Sequence, residues 1–295
     1  MKQMWQKNVK NIKKSLCVPN TTIVLRLLQI IAFLLVQGSF LFSQNTNRSY
    51  KITFSDTIPG FTSIAASGNV VVSVRQDQYF SITFKGNRAL LKDVFSSIKV
   101  TNRCLNIDAG KLFENEYIYV DIIMPVLDTL RLYDNASLYT PTNIWLKRMY
   151  IENFSAKKST IYINSNECTL RIKGSGNTEL AGIVDILNVF SEENANVSLE
   201  FLSKYLYANA SNNSIQNIKG KAFVGDFHAY HKALINASEM TCGRAKAFAC
   251  DQSQINVKSE EKPLLLSLKK GKIQYIAPQA IVIDSMGIKN LIQKR

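Results

Sequence analysis

Short apolar runs alternate with small polar clusters along the second half of the chain, at a nearly constant spacing. The runs begin 17 to 21 residues apart, at Leu130, Met149, Leu170, Leu187, Leu206, Phe227, Phe248 and Leu268. The polar clusters end on apolar residues, at Leu138, Ile161, Leu180, Val197, Ile215, Ile235, Ile255 and Ile273. A repeat of about 20 residues with strand-like runs and no helical periodicity predicts one coil of a β-solenoid in each copy.

Coils of this kind stack about 4.8 Å apart, so strands pair between coils and inward-facing Leu, Ile, Val and Phe side chains form ladders. Asn and Gly at the corners accept left-handed backbone angles, and stacked Asn side chains bond to one another along the axis. We therefore interpret the many asparagines as structural, and we expect a right-handed coil. Leucine-rich repeats have a similar period, but their L-x-x-L-x-L-x-x-N core is absent here.

Residues 50–126 have a different pattern, with alternating strand-like runs around one stretch of helical spacing. That stretch includes Leu91, Val94 and Ile98, and it is long enough for two turns. Because an uncovered solenoid end exposes an unpaired strand edge, we interpret this part as an N-terminal cap with the first coils. The sequence thus predicts an all-β, single-domain β-solenoid with one short helix in its cap. The predicted segments are 1–43 (leader), 50–126 (cap and first coils), 127–280 (repetitive coils) and 281–295 (short basic tail).

The charge excess is concentrated near the N-terminus. The chain has 36 Lys+Arg against 22 Asp+Glu, a net charge of +14, and residues 1–43 hold six of the basic residues and no acid. An apolar run from Leu27 to Phe42 follows the basic region, which is the order of a secretory signal with a cut after Ser43. The alternative is an uncleaved N-terminal anchor, which would be the protein's only membrane contact. We expect an exported protein in the periplasm, on the outer membrane surface or outside the cell.

The chain offers few residues for metal or catalytic chemistry. Its two histidines, His228 and His231, are three residues apart, which puts them on opposite faces of a strand. No Cys or carboxylate stands at a zinc-ligand spacing beside them, so we expect no metal and no cofactor. Four cysteines follow the leader; their apolar surroundings favour buried free thiols, although three disulfide pairings stay open. They are Cys104, Cys168, Cys242 and Cys250.

One family shows the same order of motifs. Residues 61–74 read F-x-x-I-x-x-S-G-x-x-x-V, followed by a G-N turn at 86–87, an L-x-I strand at 105–107 and a Pro-ended strand at 122–125. With the L-R-I-K-G-S-G coil at 170–176, this order resembles the head GIN domain family, the auto-transporter adhesins of Gram-negative bacteria, over roughly residues 52 to 275. The resemblance implies a single exported β-solenoid, and it supplies no catalytic residues.

Aromatic and basic side chains are the candidates for binding, because aromatic rings supply contact area at little entropic cost. Arg171 and Lys173 form an R-x-K element like that of pectin-degrading β-helices, but no Asp-Asp pair and no G-H-G accompanies it. Small Lys clusters without an RNA-binding aromatic motif do not indicate a nucleic-acid partner. The candidate binding residues are Tyr133, Tyr139, Tyr150, Tyr162, Tyr207, Tyr230, Arg171 and Lys173.

The sequence therefore predicts an exported, non-enzymatic, adhesin-like or structural protein of the cell envelope. Its expected partner is an envelope or extracellular ligand, either a glycan or a protein, and the oligomeric state stays open. The alternative is a β-helix protein that binds or cleaves acidic polysaccharides, which the positive net charge would suit.

Overall fold

The protein is an all-β solenoid, as predicted. The computed structural model describes residues 50–55, 59–110, 116–284 and 292–294. It is 72% strand and winds through about 8 turns, with coils of about 19 residues. The predicted leader lies outside the described residues. No helix in the described part of the chain is long and apolar enough to cross a membrane.

Twenty strands and one helix make up the described structure. The N-terminal elements are β1 (Tyr50–Ser55), β2 (Ser63–Ser67), β3 (Val70–Gln76), β4 (Ser81–Gly86), α1 (Arg88–Ser97), β5 (Lys99–Thr101), β6 (Cys104–Asp108) and β7 (Ile118–Met124). The coils follow as β8 (Thr129–Asp134), β9 (Ser137–Tyr139), β10 (Ile144–Ser155), β11 (Ser159–Gly174), β12 (Asn177–Glu193), β13 (Asn196–Ala210), β14 (Ile215–Ala229) and β15 (Leu234–Cys250). The last strands are β16 (Gln254–Ser259), β17 (Leu264–Leu268), β18 (Lys272–Ile276), β19 (Ile281–Asp284) and β20 (Ile292–Lys294).

Parallel pairing between coils keeps a constant register through the middle of the solenoid. Leu170 in β11 pairs with Val189 in β12, Val189 pairs with Ala208 in β13, and Ala208 pairs with Phe227 in β14. Between β14 and β15, the sequence separation of paired residues increases by one after Asn217, where the pairing is irregular. Residues at equivalent positions of these four coils are therefore direct neighbours.

Each coil contributes to three sides of the solenoid, which we name A, B and C. Side A consists of residues 129–133, 150–155, 169–173, 188–193, 207–211, 226–230, 246–250 and 264–268. Side B consists of residues 137–139, 159–162, 177–181, 196–200, 215–219, 234–239, 254–257 and 272–276. Side C consists of residues 144–148, 163–167, 182–186, 201–205, 220–224, 240–244 and 258–262.

A tight turn joins side A to side B in each coil. In the coil of β12 and β13, the amide of Ala195 donates to the carbonyl of Glu192 at 3.3 Å, and the buried Ala195 leads the chain back into the core. Seven of the eight turns between sides A and B have a residue with a left-handed φ, between +49° and +102°, and the exception is the turn between β10 and β11. The seven residues are Asp134, Gly174, Glu193, Asn212, His231, Asp251 and Lys269. Asparagine thus holds this left-handed position in only one of these seven turns. The predicted side-chain stacking of asparagines does occur, since Asn213 bonds to Asn194 at 3.3 Å.

The interior is filled by columns of apolar side chains. Leu130, Ile151, Leu170, Val189 and Phe227 are completely buried at equivalent positions of successive coils. Burying one such side chain contributes about 1.5–3 kcal/mol, so the columns supply most of the favourable free energy of folding.

The cap closes the N-terminal end by an unexpected order of strands. Strand β2 lies between β6 and β8, because Ser63 pairs with both Cys104 and Thr129. The cap also contains β4, which pairs antiparallel with both β1 and β7. Helix α1 packs over this end through buried Leu91 and through Phe95, whose ring lies 5.4 Å from that of Phe84.

At the C-terminal end, pairing continues into the predicted tail. Strand β19 pairs with β17, and β20 pairs with β18.

The cysteines at 104, 168, 242 and 250 are free thiols, of which the last three are buried.

Candidate functional site

Side A gathers six of the eight predicted binding residues. Tyr150 pairs in register with Thr169, which pairs with Asn188 on the next coil. Asn188 in turn pairs with Tyr207, so Tyr150 and Tyr207 stand in one outward column. The other four on this side are Tyr133, Arg171, Lys173 and Tyr230.

Five rings form a continuous row along the second half of side A, which we call the aromatic row. It consists of Phe190, Tyr207, His228, Tyr230 and Phe248. Neighbouring ring centroids lie 5.6 Å apart from Phe190 to Tyr207, 5.3 Å from Tyr207 to His228 and 5.8 Å from His228 to Phe248. Each aromatic pair of this geometry adds about 0.5–1.5 kcal/mol beyond its buried area, so the row holds its shape without a ligand.

Polar groups lie along the aromatic row. The Nε2 of His228 is 2.8 Å from Oδ1 of Asp226, and its Nδ1 is 3.5 Å from the hydroxyl of Tyr230. Partial burial raises the pKa of Tyr230, as it does that of Tyr205, whose hydroxyl also bonds to Asp226. The tyrosine hydroxyls therefore stay protonated at neutral pH and can both donate and accept hydrogen bonds.

A network of charged groups precedes the aromatic row. Glu152 accepts a hydrogen bond from Arg131 Nε at 3.2 Å and another from the Tyr150 hydroxyl at 2.9 Å. A hydrogen bond with Tyr150 raises the pKa of Arg171, whose side chain is exposed. Lys173 Nζ lies 3.2 Å from Oε1 of Glu193.

A shallow hollow of about 160 Å³ lies between the charged network and the aromatic row. Phe154 and Phe190 form two of its walls, and Arg171, Lys173 and Glu192 supply its polar groups. The hollow thus offers two ring surfaces with hydrogen-bond donors and an acceptor between them.

The other two predicted residues, Tyr139 and Tyr162, lie on side B. Both are exposed, by 44% and 41%. Tyr162 borders a second hollow of about 220 Å³ with Glu179, Glu200 and Lys219. The eight predicted residues therefore belong to two different surfaces.

Sequence reasoning did not include Phe154, Phe190 or Phe248 in the site. The signal that could have found them is the register, because steps of one coil from Arg171 lead to Phe190, then Asn209, then His228. Among the described residues, no three His, Cys, Asp or Glu side chains are grouped so that they could hold a metal ion.

Residues 60–204 match the sequence profile described as "Putative auto-transporter adhesin, head GIN domain". These residues belong to the head GIN domain family. The matched residues begin just before β2 and end on side C of β13, so this head GIN domain includes the hollow and the first ring of the aromatic row. The family's description as an adhesin points to a binding role and to a location outside the cell or at its surface.

Solved structures share the fold of this head GIN domain protein. A "putative adhesin" from Parabacteroides merdae is 16% identical with a TM-score of 0.60, and the match covers 84% of this chain and 96% of that one. A "putative adhesin" from Parabacteroides distasonis is 17% identical with a TM-score of 0.56, covering 84% and 97%. A "putative lipid binding protein" from the same organism is 13% identical with a TM-score of 0.53, covering 85% and 97%. Among curated proteins, none matches the sequence significantly.

Proposed function

We propose that the protein is an exported, non-enzymatic, adhesin-like β-solenoid that binds a carbohydrate chain along side A. The observation that carries the proposal is the aromatic row and the hollow beside it. The basic, then apolar, order of residues 1–43 supports export, and the family's adhesin description supports a binding role.

Side A has the chemistry that a sugar chain requires. Aromatic rings stack on the C–H faces of sugars, and tyrosine hydroxyls, amides and charged groups bond to their hydroxyls. Coils repeat about every 4.8 Å, so the rings and polar groups from Tyr133 to Phe248 extend along the solenoid axis as a polymer would. A carbohydrate chain is therefore a better fit than a compact ligand.

The acids of side A favour binding over cleavage. Glycoside hydrolysis needs two carboxyl groups, one to protonate the leaving group and one to act as nucleophile or base. Here Glu152 is bonded to Arg131 and Tyr150, Asp226 to His228, and Glu193 to Lys173. Glu192, in the hollow, is the fourth acid of this side, and one carboxyl does not supply such a pair. These ion pairs and hydrogen bonds fit a surface that holds a ligand without reacting with it.

The test is a glycan array with the full chain, followed by titration calorimetry on the glycans retained. We expect Tyr207→Ala with Tyr230→Ala to weaken binding about tenfold or more, as for central interface aromatics. Arg171→Ala, at an exposed position, should weaken binding without changing the urea midpoint. Tyr162→Ala on side B is the matched control and should leave affinity unchanged.

Two results would contradict the proposal. One is a wild-type chain that retains no glycan, or a Tyr162→Ala chain that loses affinity as much as the side A variants. The other is the appearance of new reducing ends when the protein is incubated with a glycan that it retains, because that would show catalysis.

A further inference from the structure

Side C exposes large apolar side chains that do not belong to the carbohydrate-binding surface proposed above. Trp145 is 67% exposed, Phe223 63%, Ile183 52% and Leu202 51%. Single exposed apolar residues are normal on proteins, but a contiguous group marks an interaction surface.

Register brings members of this group together on adjacent coils. Ile183 lies in register with Leu202, and Ile186 with Tyr205, on adjacent strands about 4.8 Å apart. Phe223 lies on the next coil. Trp145 is two coils before Ile183 in register, with the buried Asn164 between them. We call these residues the side C patch: Trp145, Ile183, Ile186, Leu202 and Phe223.

The position of Trp145 is fixed by its backbone. The Gln76 side chain accepts a hydrogen bond from the Trp145 amide at 2.7 Å and donates one to its carbonyl at 2.9 Å. The backbone that carries the indole is therefore fixed, and most of the side-chain surface is free. Such a ring suits a boundary between apolar and polar phases.

Side C also carries an excess of positive charge. Its basic residues are Lys147, Arg148, Lys204, Lys221, Arg244, Lys258 and Lys262, and its acidic residues are Glu167, Asp185, Glu260 and Glu261. On side A, by contrast, four basic and four acidic residues balance.

Ion pairs on side C neutralise three of its four acids. The pairs are Arg148–Glu167 at 3.3 Å, Lys204–Asp185 at 2.9 Å and Arg244–Glu261 at 2.9 Å. Within the described part of the chain, Lys221 and Lys258 make no ion pair, and Lys221 lies directly beside Leu202 in the outward column.

We propose that side C lies on an anionic lipid surface, with the patch in the interfacial layer and the lysines at the headgroups. Interfacial binding of this kind adds apolar burial to electrostatic attraction. The positive excess opposes a second copy of the same face, because like charges would then meet, whereas it complements anionic headgroups. This contact is distinct from any anchoring by the predicted leader, and it would leave side A free for its ligand.

Trp145 allows a direct test, because the sequence has only one other tryptophan, Trp5. In a full chain carrying Trp5→Phe, emission reports on side C even where the leader also holds the protein to a vesicle. The probes are vesicles of phosphatidylcholine alone and of phosphatidylcholine mixed with phosphatidylglycerol, each with and without brominated lipid. We expect phosphatidylglycerol to cause a blue shift, protection from acrylamide and quenching by brominated lipid, all weakened by salt.

Variants separate the contributions. Leu202→Glu with Phe223→Glu should lower vesicle partitioning of Trp145 about tenfold or more, since two exposed apolar groups lose their burial. Lys221→Glu with Lys258→Glu should remove the preference for phosphatidylglycerol. Ile215→Glu, at a 38% exposed position on side B, is the matched control and should change nothing.

Three results would overturn the proposal. The first is a chain that sediments with vesicles while Trp145 remains as accessible to acrylamide as in buffer. The second is an equal loss of partitioning in Ile215→Glu. The third is a Trp145 shift that depends on protein concentration without vesicles, which would make the patch an interface between copies.

Discussion

Gly182 provides the sharpest test of the coil register. It follows side B of β12 with a φ of +145°, and a Cβ built on it would overlap the carbonyl oxygen of Ile163 in the coil before. Alanine there would be strained by about 1–3 kcal/mol, and moving the carbonyl would cost a ladder hydrogen bond, about 1–3 kcal/mol more. We expect Gly182→Ala to lower the free energy of unfolding by about 2–6 kcal/mol.

Two other glycines provide comparisons with smaller expected losses of stability. Gly110 has a φ of +59° and open space around it, so Gly110→Ala should cost only the left-handed strain, about 1–2 kcal/mol. Gly60 lies in an ordinary conformation with Phe80 at 3.8 Å, so Gly60→Ala should stay within about 0.5 kcal/mol of wild type. Urea unfolding followed by far-UV circular dichroism measures all three. A Gly182→Ala chain as stable as Gly60→Ala would refute the close approach between coils.

Two further predictions concern ionisable groups. Burial raises the pKa of Cys168 and Cys242 to about 12, so iodoacetamide at neutral pH should label the half-buried Cys104 before Cys168 and Cys242 in native protein. Rapid native labelling of Cys168 or Cys242 would contradict the core assignment. The ammonium of Lys158, 2.6 Å from Glu179, holds the pKa of that carboxyl below its ordinary value. The contribution of this ion pair to stability is present above the pKa of Glu179 in the unfolded chain. It is lost as the pH falls through the pKa of Glu179 in the folded protein. Lys158→Met should raise the pKa of Glu179 in an NMR titration. Its free energy of unfolding should become equal to that of wild type in acid, and an unchanged pKa would refute the pairing.

The sequence predicted the solenoid because each coil must bury its own apolar residues at the same points of the turn. It did not predict which columns they form. Leu170 and Phe227 stand in one column, whereas Leu187 and Leu206 stand in another that begins two residues earlier on the strand. Strands bend between sides, and each bend shifts the alternation of buried and exposed positions, as between Val184 and Leu187 in β12. Local pattern cannot show how far it shifts.

Ile215 illustrates the same difficulty. The pattern predicts that it closes a coil on the core, but it is 38% exposed and Gln216 is buried instead. The Gln216 amide donates to the Ser191 hydroxyl and to the Asn209 carbonyl, both at 2.8 Å. A buried amide is tolerated when such partners exist, and Ser191 is supplied by the preceding coil. Contacts between coils therefore decide what a single coil leaves ambiguous.

The candidate site was predictable in kind but not in position. Tyrosines and basic residues were expected to bind, and six of the eight lie on side A, yet the phenylalanines between them were overlooked. The register between coils, known only from the strand pairing, is what places Phe190 between Arg171 and His228 along side A. The side C patch was missed because Ile183 and Leu202 read as ordinary core residues in the sequence.

The place of β2 between β6 and β8 has a consequence for how the chain assembles. The strands that pair with β2 begin only at Cys104 and Thr129. During synthesis from the N-terminus, β2 therefore stays unpaired until both strands have been made. Both pairings close long loops, so we expect them to form the slow step of folding. Every later coil then needs only the one before it, so growth beyond Thr129 proceeds in one direction by short-range additions.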